Sequence, residues 1–148
     1  HRPMINDPAK LNRLVKGVPT LRKLLVIDDN SLVRFALCLL LRRAGYEVLE
    51  ASDGGEGQQV QSENDLDLLI TDILMDGVDG LETIRKIREV SPDIKIIAIS
   101  GGGHLDAGDM LQLAERAGAD AIFTKPFDNN ELLSKIAVLL GTPPPPSA

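Results

Sequence analysis

Cysteine and long apolar runs are both scarce in this sequence. Cys38 is the only cysteine among 148 residues and has no partner for a disulfide, so we expect a buried thiol in a reducing compartment. The apolar run at 35–41 that contains it is far shorter than the ~20 residues that a membrane-spanning helix needs. No basic and then apolar leader precedes this run at the N-terminus. We therefore expect a cytoplasmic protein with no membrane partner.

Positive charge is also in short supply. The chain carries 16 Lys and Arg residues against 22 Asp and Glu residues, which gives a formal net charge of −6. Sequence-independent binding to nucleic acid requires lysine and arginine to replace counterions along the phosphate backbone, so this charge argues against DNA or RNA as a direct ligand. The length and the hydrophobic content of 43% are typical of one soluble globular domain.

Apolar stretches rich in Leu, Ile and Val alternate with segments of helical period between residues 24 and 140. This alternation predicts repeated strand-helix units around a parallel sheet, which is an α/β doubly wound fold. We count five such units, with strands predicted at 24–27, 46–50, 68–71, 94–99 and 121–124.

Capping residues indicate where the predicted helices begin. Asn30 or Ser31 suits the N-cap of the first helix, and Asp53 precedes a second helix that several glycines weaken. The third helix opens at 79–82 and the last at 128–131, both with capping-box spacing. In the first helix, the apolar pattern predicts an inward face made of Val33, Ala36, Leu37, Leu40 and Leu41.

The two ends of the chain differ from this body. Residues 7–17 favour a short basic helix that is too short to be stable alone; it can pack on the domain, join two copies or continue from something upstream. Four consecutive prolines near the C-terminus indicate an extended tail. We therefore expect an N-terminal extension or linker at 1–22, one domain at 23–141 and a disordered proline-rich tail at 142–148.

Polar residues stand at the ends of four predicted strands. Asp28 and Asp29 end the first strand, Asp72 the third, Ser100 the fourth and Lys125 the fifth. Every strand of a parallel sheet delivers its last residue to the same edge, where ligands bind in α/β proteins. Each residue alone has an ordinary explanation, such as a helix cap, a turn or a solvated lysine. Their predicted convergence favours a functional site.

A cluster of carboxylates requires positive charge nearby. Two close carboxylates repel by roughly 4 kcal/mol at an effective dielectric of about 20, and Mg²⁺ together with a lysine would offset this repulsion. A carboxylate beside such cations can attack a phosphoryl group, because they offset negative charge on both the nucleophile and the transferring group. The residue types therefore indicate metal-assisted phosphorylation.

Four motifs of the chain resemble those of the response-regulator receiver domain of two-component signalling, to which chemotaxis regulators also belong. They are LLVIDDN at 24–30, TDILMDGVDG at 71–80, ISG at 99–101 and TKPF at 124–127. They occur in the family's order and spacing, and the resemblance covers about 23–141. It implies a flavodoxin-like (βα)₅ fold, with strand order 2-1-3-4-5 and helices on both faces of the sheet.

The resemblance also implies roles for the acidic residues. Asp72 matches the phosphoacceptor that takes a phosphoryl group from a phosphohistidine on a partner protein. Asp29 matches a direct ligand of Mg²⁺ or Mn²⁺, and Asp28 matches a residue that acts on the metal through bound water. Asp72 and the backbone carbonyl of Leu74 complete the implied metal site.

Two further residues match the family's phosphate-binding machinery, and one position departs from it. Ser100 matches the hydroxyl that turns toward the phosphoryl oxygens, and Lys125 matches the lysine that pairs with the phosphate. The Lys125-Pro126 bond resembles the family's cis peptide. The family usually has an aromatic residue where this chain has Ile122, and strand alternation predicts that Phe123 points to the opposite face.

The resemblance implies a signalling phosphoacceptor, not a classical enzyme, that supports its own Mg²⁺-dependent phosphorylation and autodephosphorylation. Its partners would be a sensor histidine kinase or a histidine phosphotransfer protein, and an output protein; whether it forms a homodimer stays open. One alternative is a receiver-like interaction module that works without phosphorylation. Another is an aspartyl-phosphate phosphohydrolase, which is less favoured because 28–30 lacks the two acids spaced by one residue that such an enzyme wants.

Overall fold

The computed structural model describes residues 21–73, 80–101 and 107–142 of the chain, with the backbone alone for 107–111. Within these residues, five strands form one parallel sheet in the order β2-β1-β3-β4-β5. This order confirms the predicted doubly wound, flavodoxin-like fold. The strands are β1 (Lys23–Ile27), β2 (Glu47–Ala51), β3 (Leu68–Asp72), β4 (Lys95–Ser100) and β5 (Ala121–Thr124).

Helices cover both faces of the sheet. One face carries α1 (Ser31–Arg43) and α5 (Asn129–Leu140), and the other carries α2 (Gly54–Glu63), α3 (Gly80–Val90) and α4 (Ala107–Ala117). None of these helices is long and apolar enough to span a bilayer in the segments that the structure describes.

The two helical layers explain why the central strands are apolar throughout. In β1, Leu24 and Val26 pack in the layer of α1 and α5, while Leu25 and Ile27 pack in the opposite layer, as the alternation of side chains along a strand requires. All four side chains are buried. A strand covered on both sides has no solvated face, so its sequence reads as a continuous apolar run.

Acidic and amide side chains begin the helices that follow β1, β2 and β5. Asn30, not Ser31, is the N-cap of α1, and its side chain accepts two backbone N–H groups of the first turn. Asp128 caps α5 in the same way, and Asp53 caps α2 by accepting one hydrogen bond, from the N–H of Glu56. These caps bond amides that the helix itself leaves without partners, so they fix where each chain segment turns away from the sheet edge.

The prediction for the inward face of α1 is wrong in part. Val33 is 38% exposed and Ala36 is also exposed. The helix is rotated so that Arg34 precedes the buried stripe by one turn, and its guanidinium bonds to groups at the end of the sheet. The stripe consists of Leu37, Cys38 and Leu41, with Leu40 half-buried beside it.

Several predictions concern residues that the structure does not describe. The short helix at 7–17 and the tail after residue 142 lie outside the described residues. The same is true of Asp79, the predicted cap of α3, and of Leu74.

Gly80, the first residue of α3, lies tightly against the backbone at the end of β3. A Cβ atom on this residue would lie 2.5 Å from the carbonyl oxygen of Asp72 and 2.9 Å from the carbonyl carbon of Ile73. Both atoms belong to the backbone, which cannot rotate away as a side chain can. Only a glycine lets α3 begin at this distance from the strand.

We expect Gly80→Ala to lower the free energy of unfolding by about 1–3 kcal/mol, the usual cost of overpacking, because the methyl group must displace the backbone that follows β3. Gly55→Ala in the first turn of α2 is the matched control, since its Cβ would meet only a side-chain oxygen of Asp53 at 3.4 Å. Higher helix propensity should leave that variant as stable as wild type or up to ~1 kcal/mol more stable. Urea denaturation measures both values, and equal stabilities for the two variants would contradict the close approach.

We expect Cys38 to be unreactive in the folded protein. Its side chain is fully buried, and burial raises the pKa of the thiol to about 11, while the thiolate is the form that reacts. Iodoacetamide at neutral pH should modify the chain only after denaturation, as followed by mass spectrometry. In the control Cys38→Ala/Val138→Cys, which places the thiol at a site that is 72% exposed, native protein should react fully. Alkylation of native wild type at the same rate as this control would refute the prediction.

Candidate functional site

The carboxyl ends of neighbouring strands meet along one edge of the sheet. Ile27 is in register with Thr71, so Asp28 and Asp72, which follow these residues, lie side by side. Asp72 is in register with Ile99, and Ser100 is in register with Thr124. The topology thus brings residues that are far apart in sequence to one rim of the sheet. This rim consists of Asp28, Asp29, Asp72, Ser100 and Lys125.

Lys125 joins the two buried carboxylates of this rim. Its Nζ donates a hydrogen bond of 3.0 Å to Oδ2 of Asp72 and lies 3.7 Å from Oδ2 of Asp28. Asp28 is only 3% exposed and Asp72 only 7%. A buried carboxylate is costly unless a counter-charge or hydrogen bonds compensate it. The ammonium of Lys125 compensates both groups, and the backbone N–H of Asn30 also donates to Asp28.

The backbone around Lys125 directs its side chain into the rim. The N–H of Lys125 donates a 2.8 Å hydrogen bond to the carbonyl of Ser100, which extends the pairing of β4 and β5 by one residue. The Lys125-Pro126 peptide is cis, as the resemblance implies. Ser100 itself is buried at the last position of β4.

The electrostatics of the rim are those of an acidic cluster with too little positive charge. Burial raises the pKa of the Asp28 carboxyl, and the negative charges of Asp72 and Asp29 add to this, although the amide of Asn30 and the ammonium of Lys125 oppose it. Burial lowers the pKa of Lys125, but its hydrogen bond to Asp72 and the charges of Asp72 and Asp28 outweigh this effect and raise that pKa above its usual value.

The donor set of the rim suits a hard divalent cation. Asp28, Asp29 and Asp72 supply carboxylate oxygens, the ligand type that Mg²⁺ prefers, and the charges of Asp72 and Asp29 both raise the pKa of Asp28. Asp29 is exposed and can take up a ligand from solvent. Among the residues that the structure describes, no three or more acidic, histidine or cysteine side chains are arranged so that they alone could hold a metal ion. Leu74, the predicted carbonyl ligand, lies outside those residues.

The side chains of β5 follow the predicted alternation. Ile122 is half-buried and packs with the layer of α2, α3 and α4. Phe123 packs with the opposite layer and contacts Phe127 edge to face, with ring centroids 5.8 Å apart. The prediction that Phe123 points away from the face of Ile122 is therefore confirmed.

Sequence reasoning missed Arg34, which contacts the rim from α1. Its Nη1 donates to the backbone carbonyl of Asp28 and its Nε donates to Glu50 on β2. A signal was present in the sequence, because Arg34 stands three, four and seven residues before the buried Leu37, Cys38 and Leu41. A basic residue in line with a buried stripe must find acceptors at the edge of the core.

Comparison with known proteins agrees with this geometry. A family model described as the response regulator receiver domain matches residues 24–137. The response regulator receiver protein CpdR of Brucella abortus is 37% identical over 120 residues, which are 80% of this chain and 96% of that protein. The CAI-1 autoinducer sensor kinase/phosphatase CqsS of Vibrio cholerae is 37% identical over 116 residues, but the 78% of this chain that matches spans only 17% of that longer protein.

Solved structures share the fold at comparable identity. The response regulator protein TrrA from Thermotoga maritima, crystallised in complex with Mg²⁺-BeF, superposes with a TM-score of 0.71 at 33% identity, covering 81% of this chain and 100% of that one. The residues that the family model matches, 24–137, include β2 to β5, all of β1 except Lys23, and the rim described above. The chain therefore belongs to the family of response regulator receiver domains of two-component signalling.

Proposed function

We propose that the protein is the phosphoacceptor of a two-component phosphorelay. In this proposal, Asp72 takes a phosphoryl group from a phosphohistidine of a sensor histidine kinase or a histidine phosphotransfer protein, and the change switches a protein-binding surface. The observation that carries the proposal is the placement of Lys125 between the buried carboxylates of Asp72 and Asp28. The receiver domain would occupy residues 23–141 and act in the cytoplasm, where such kinases present their phosphohistidines.

The proposed transfer is an in-line displacement. An oxygen of the Asp72 carboxylate forms a bond to phosphorus while the bond from phosphorus to the partner's histidine nitrogen breaks, and the electron pair leaves with the imidazole. Such a step needs positioning and charge neutralisation more than acid or base catalysis. Lys125 supplies an ammonium within hydrogen-bond reach of the nucleophile, and the hydroxyl of Ser100 would bond to a phosphoryl oxygen after transfer.

A divalent cation fits the same rim. We propose that Asp29 binds Mg²⁺ or Mn²⁺ directly, with Asp28 acting through water and with Asp72 and the carbonyl of Leu74 completing the site. When bound, the cation would offset negative charge on the transferring group. The complex of TrrA with Mg²⁺-BeF supports this assignment, as does the mutual repulsion of the carboxylates.

Signalling to an output protein would differ from the family's usual pattern, because this chain has Ile122 at the position where the family usually has an aromatic residue. Ile122 has no ring to swing between two orientations, so we propose that movement of the backbone and of Ser100 changes the binding surface. A phosphoryl group with a charge of about −2 can shift such an equilibrium between two conformations. The output protein and any second copy of the chain would bind the surface that changes when the backbone and Ser100 move.

The proposed phosphoacceptor can be tested by chemical phosphorylation. Incubation with Mg²⁺ and acetyl phosphate should give a hydroxylamine-labile phosphoryl adduct that mass spectrometry detects, because hydroxylamine cleaves acyl phosphates. Asp72→Asn should give no adduct, since an amide cannot act as the nucleophile. Asp93→Asn is the matched control, because Asp93 is exposed in the turn that leads into β4, at the opposite edge of the sheet.

Two results would decide against this proposal. If the wild type gives no adduct even with a phosphorylated partner kinase, an interaction module that works without phosphorylation is favoured. If it instead hydrolyses many unrelated phosphate esters with steady turnover, a phosphohydrolase is favoured.

A variant of Lys125 separates its role in phosphoryl transfer from the role of the metal. Lys125→Met should lower the initial rate of adduct formation at least tenfold, because the variant loses a preorganised charge-stabilising group. The loss of one such donor from the oxyanion hole of an acyl-transfer enzyme costs about 10²-fold or more. The same variant should bind Mg²⁺ as tightly as wild type or more tightly, because the rim becomes more negative. Lys135→Met, at an exposed position of α5, should change neither value. Calorimetric titration with Mg²⁺ measures the affinity, and loss of Mg²⁺ binding in Lys125→Met would contradict this division of roles.

A further inference from the structure

Arg34 connects α1, β2 and the acidic end of β1. Its Nη1 donates a 2.5 Å hydrogen bond to the backbone carbonyl of Asp28, and its Nε donates a 3.2 Å hydrogen bond to Oε1 of Glu50. The side chain is only 18% exposed. A guanidinium has donors in a fixed planar fork, so these two bonds together hold the Asp28 carbonyl at a set position relative to β2.

Glu50 is itself held in place. Nη2 of Arg42 lies 3.3 Å from Oε2 of Glu50 and also donates a 3.0 Å hydrogen bond to the carbonyl of Val48. Two arginines of α1, Arg34 and Arg42, thus form ion pairs with the carboxylate of Glu50 on β2. This partly exposed ion pair gives Arg34 an acceptor on β2 at the end opposite to its bond with Asp28.

The other polar groups of Asp28 are also fixed. Its N–H donates to the carbonyl of Ala51 at 3.2 Å, and its Oδ1 accepts the N–H of Asn30 at 2.9 Å. The bond from Arg34 adds the carbonyl to this set. Because a peptide unit is planar, fixing the carbonyl of Asp28 also fixes the N–H of Asp29 and the direction of its Cα.

We propose that Arg34 is a positioning residue for the metal site, which sets the direction in which the Asp29 carboxylate leaves the end of β1. The inference rests on the proposed function, because it assumes that Asp29 binds the divalent cation. Arg34 would act through the backbone, without contact to the metal. Groups that hydrogen-bond to metal-ligating side chains typically contribute 10- to 100-fold to metal affinity, and we take this range as the scale for Arg34.

Charge and geometry predict effects of opposite sign, which makes the proposal testable. Arg34 is a cation beside an acidic site, so its removal should strengthen Mg²⁺ binding if charge alone matters. If orientation of the Asp28–Asp29 peptide matters more, removal should weaken binding. A lysine at this position keeps the charge but lacks the planar fork, so it isolates the geometric effect.

The experiment is calorimetric titration of the full chain with Mg²⁺ alone, for wild type, Arg34→Gln, Arg34→Lys and Arg43→Gln. We expect the dissociation constant to rise about tenfold in Arg34→Gln, and to rise severalfold in Arg34→Lys. Arg43→Gln is the matched control, because it removes the same charge from an exposed position of the same helix and should leave the affinity unchanged.

A second readout needs no metal. Amide proton exchange, followed by NMR in Mg²⁺-free buffer, should be faster at Asn30 in Arg34→Gln than in wild type, because the Asn30 N–H depends on the position of Asp28. The Leu69 amide in the buried core should keep the exchange rate that global stability sets. If Arg34 only stabilised the fold, its replacement would increase the exchange rates of the Asn30 and Leu69 amides in parallel.

The outcomes separate the inference from the function on which it rests. Equal or tighter Mg²⁺ binding by Arg34→Gln would overturn the inference alone, as would a lower melting temperature with unchanged affinity. If Arg34→Gln does not fold, Arg34→Lys decides, and wild-type affinity in that variant would overturn the inference. Failure of the wild type to bind Mg²⁺ would overturn the proposed function and the inference together.

Discussion

The ion pair between Lys125 and the buried carboxylates of Asp72 and Asp28 is the interaction on which the rest of the site depends. Two carboxylates at the ends of neighbouring strands repel each other, and burial makes their charge more costly. One ammonium bridges both groups, but it cannot neutralise them fully once Asp29 is included. Lys125 therefore offsets part of the charge of the rim, and the rim still attracts further positive charge. A metal-assisted phosphoacceptor requires such a site.

The fold supplies this arrangement from several directions. The parallel sheet brings the strand ends level, and the extra hydrogen bond between Lys125 and Ser100 carries the pairing of β4 and β5 up to the rim. Gly80 lets α3 begin directly against the backbone that follows Asp72. From the other layer, Arg34 ties Asp28 to Glu50. The functional side chains thus lie on rigid elements whose positions are set by both helical layers.

The sequence predicts most of this architecture, and its failures have physical causes. The apolar runs of β1, β3 and β4 predicted where these strands lie, whereas the strand order was implied by the resemblance to receiver domains. Asp53 and Asp128 begin helices as capping residues should. The rotation of α1 was not predictable from its apolar pattern, because this helix also exposes Leu32 and Phe35 and so has apolar residues on nearly every side. The role of Arg34 depends on that rotation and was missed with it. The bridging position of Lys125 followed from topology, whereas its distances to two carboxylates needed coordinates.

The most direct test of the central claim is a crystal structure of the protein with Mg²⁺ and beryllofluoride, a mimic of the phosphoryl group. We expect beryllium to be bonded to a carboxylate oxygen of Asp72, Nζ of Lys125 to contact a fluorine atom, and Asp29 to hold Mg²⁺. Beryllofluoride on another carboxylate, or Lys125 turned to solvent while Mg²⁺ binds away from Asp28 and Asp29, would contradict the central claim.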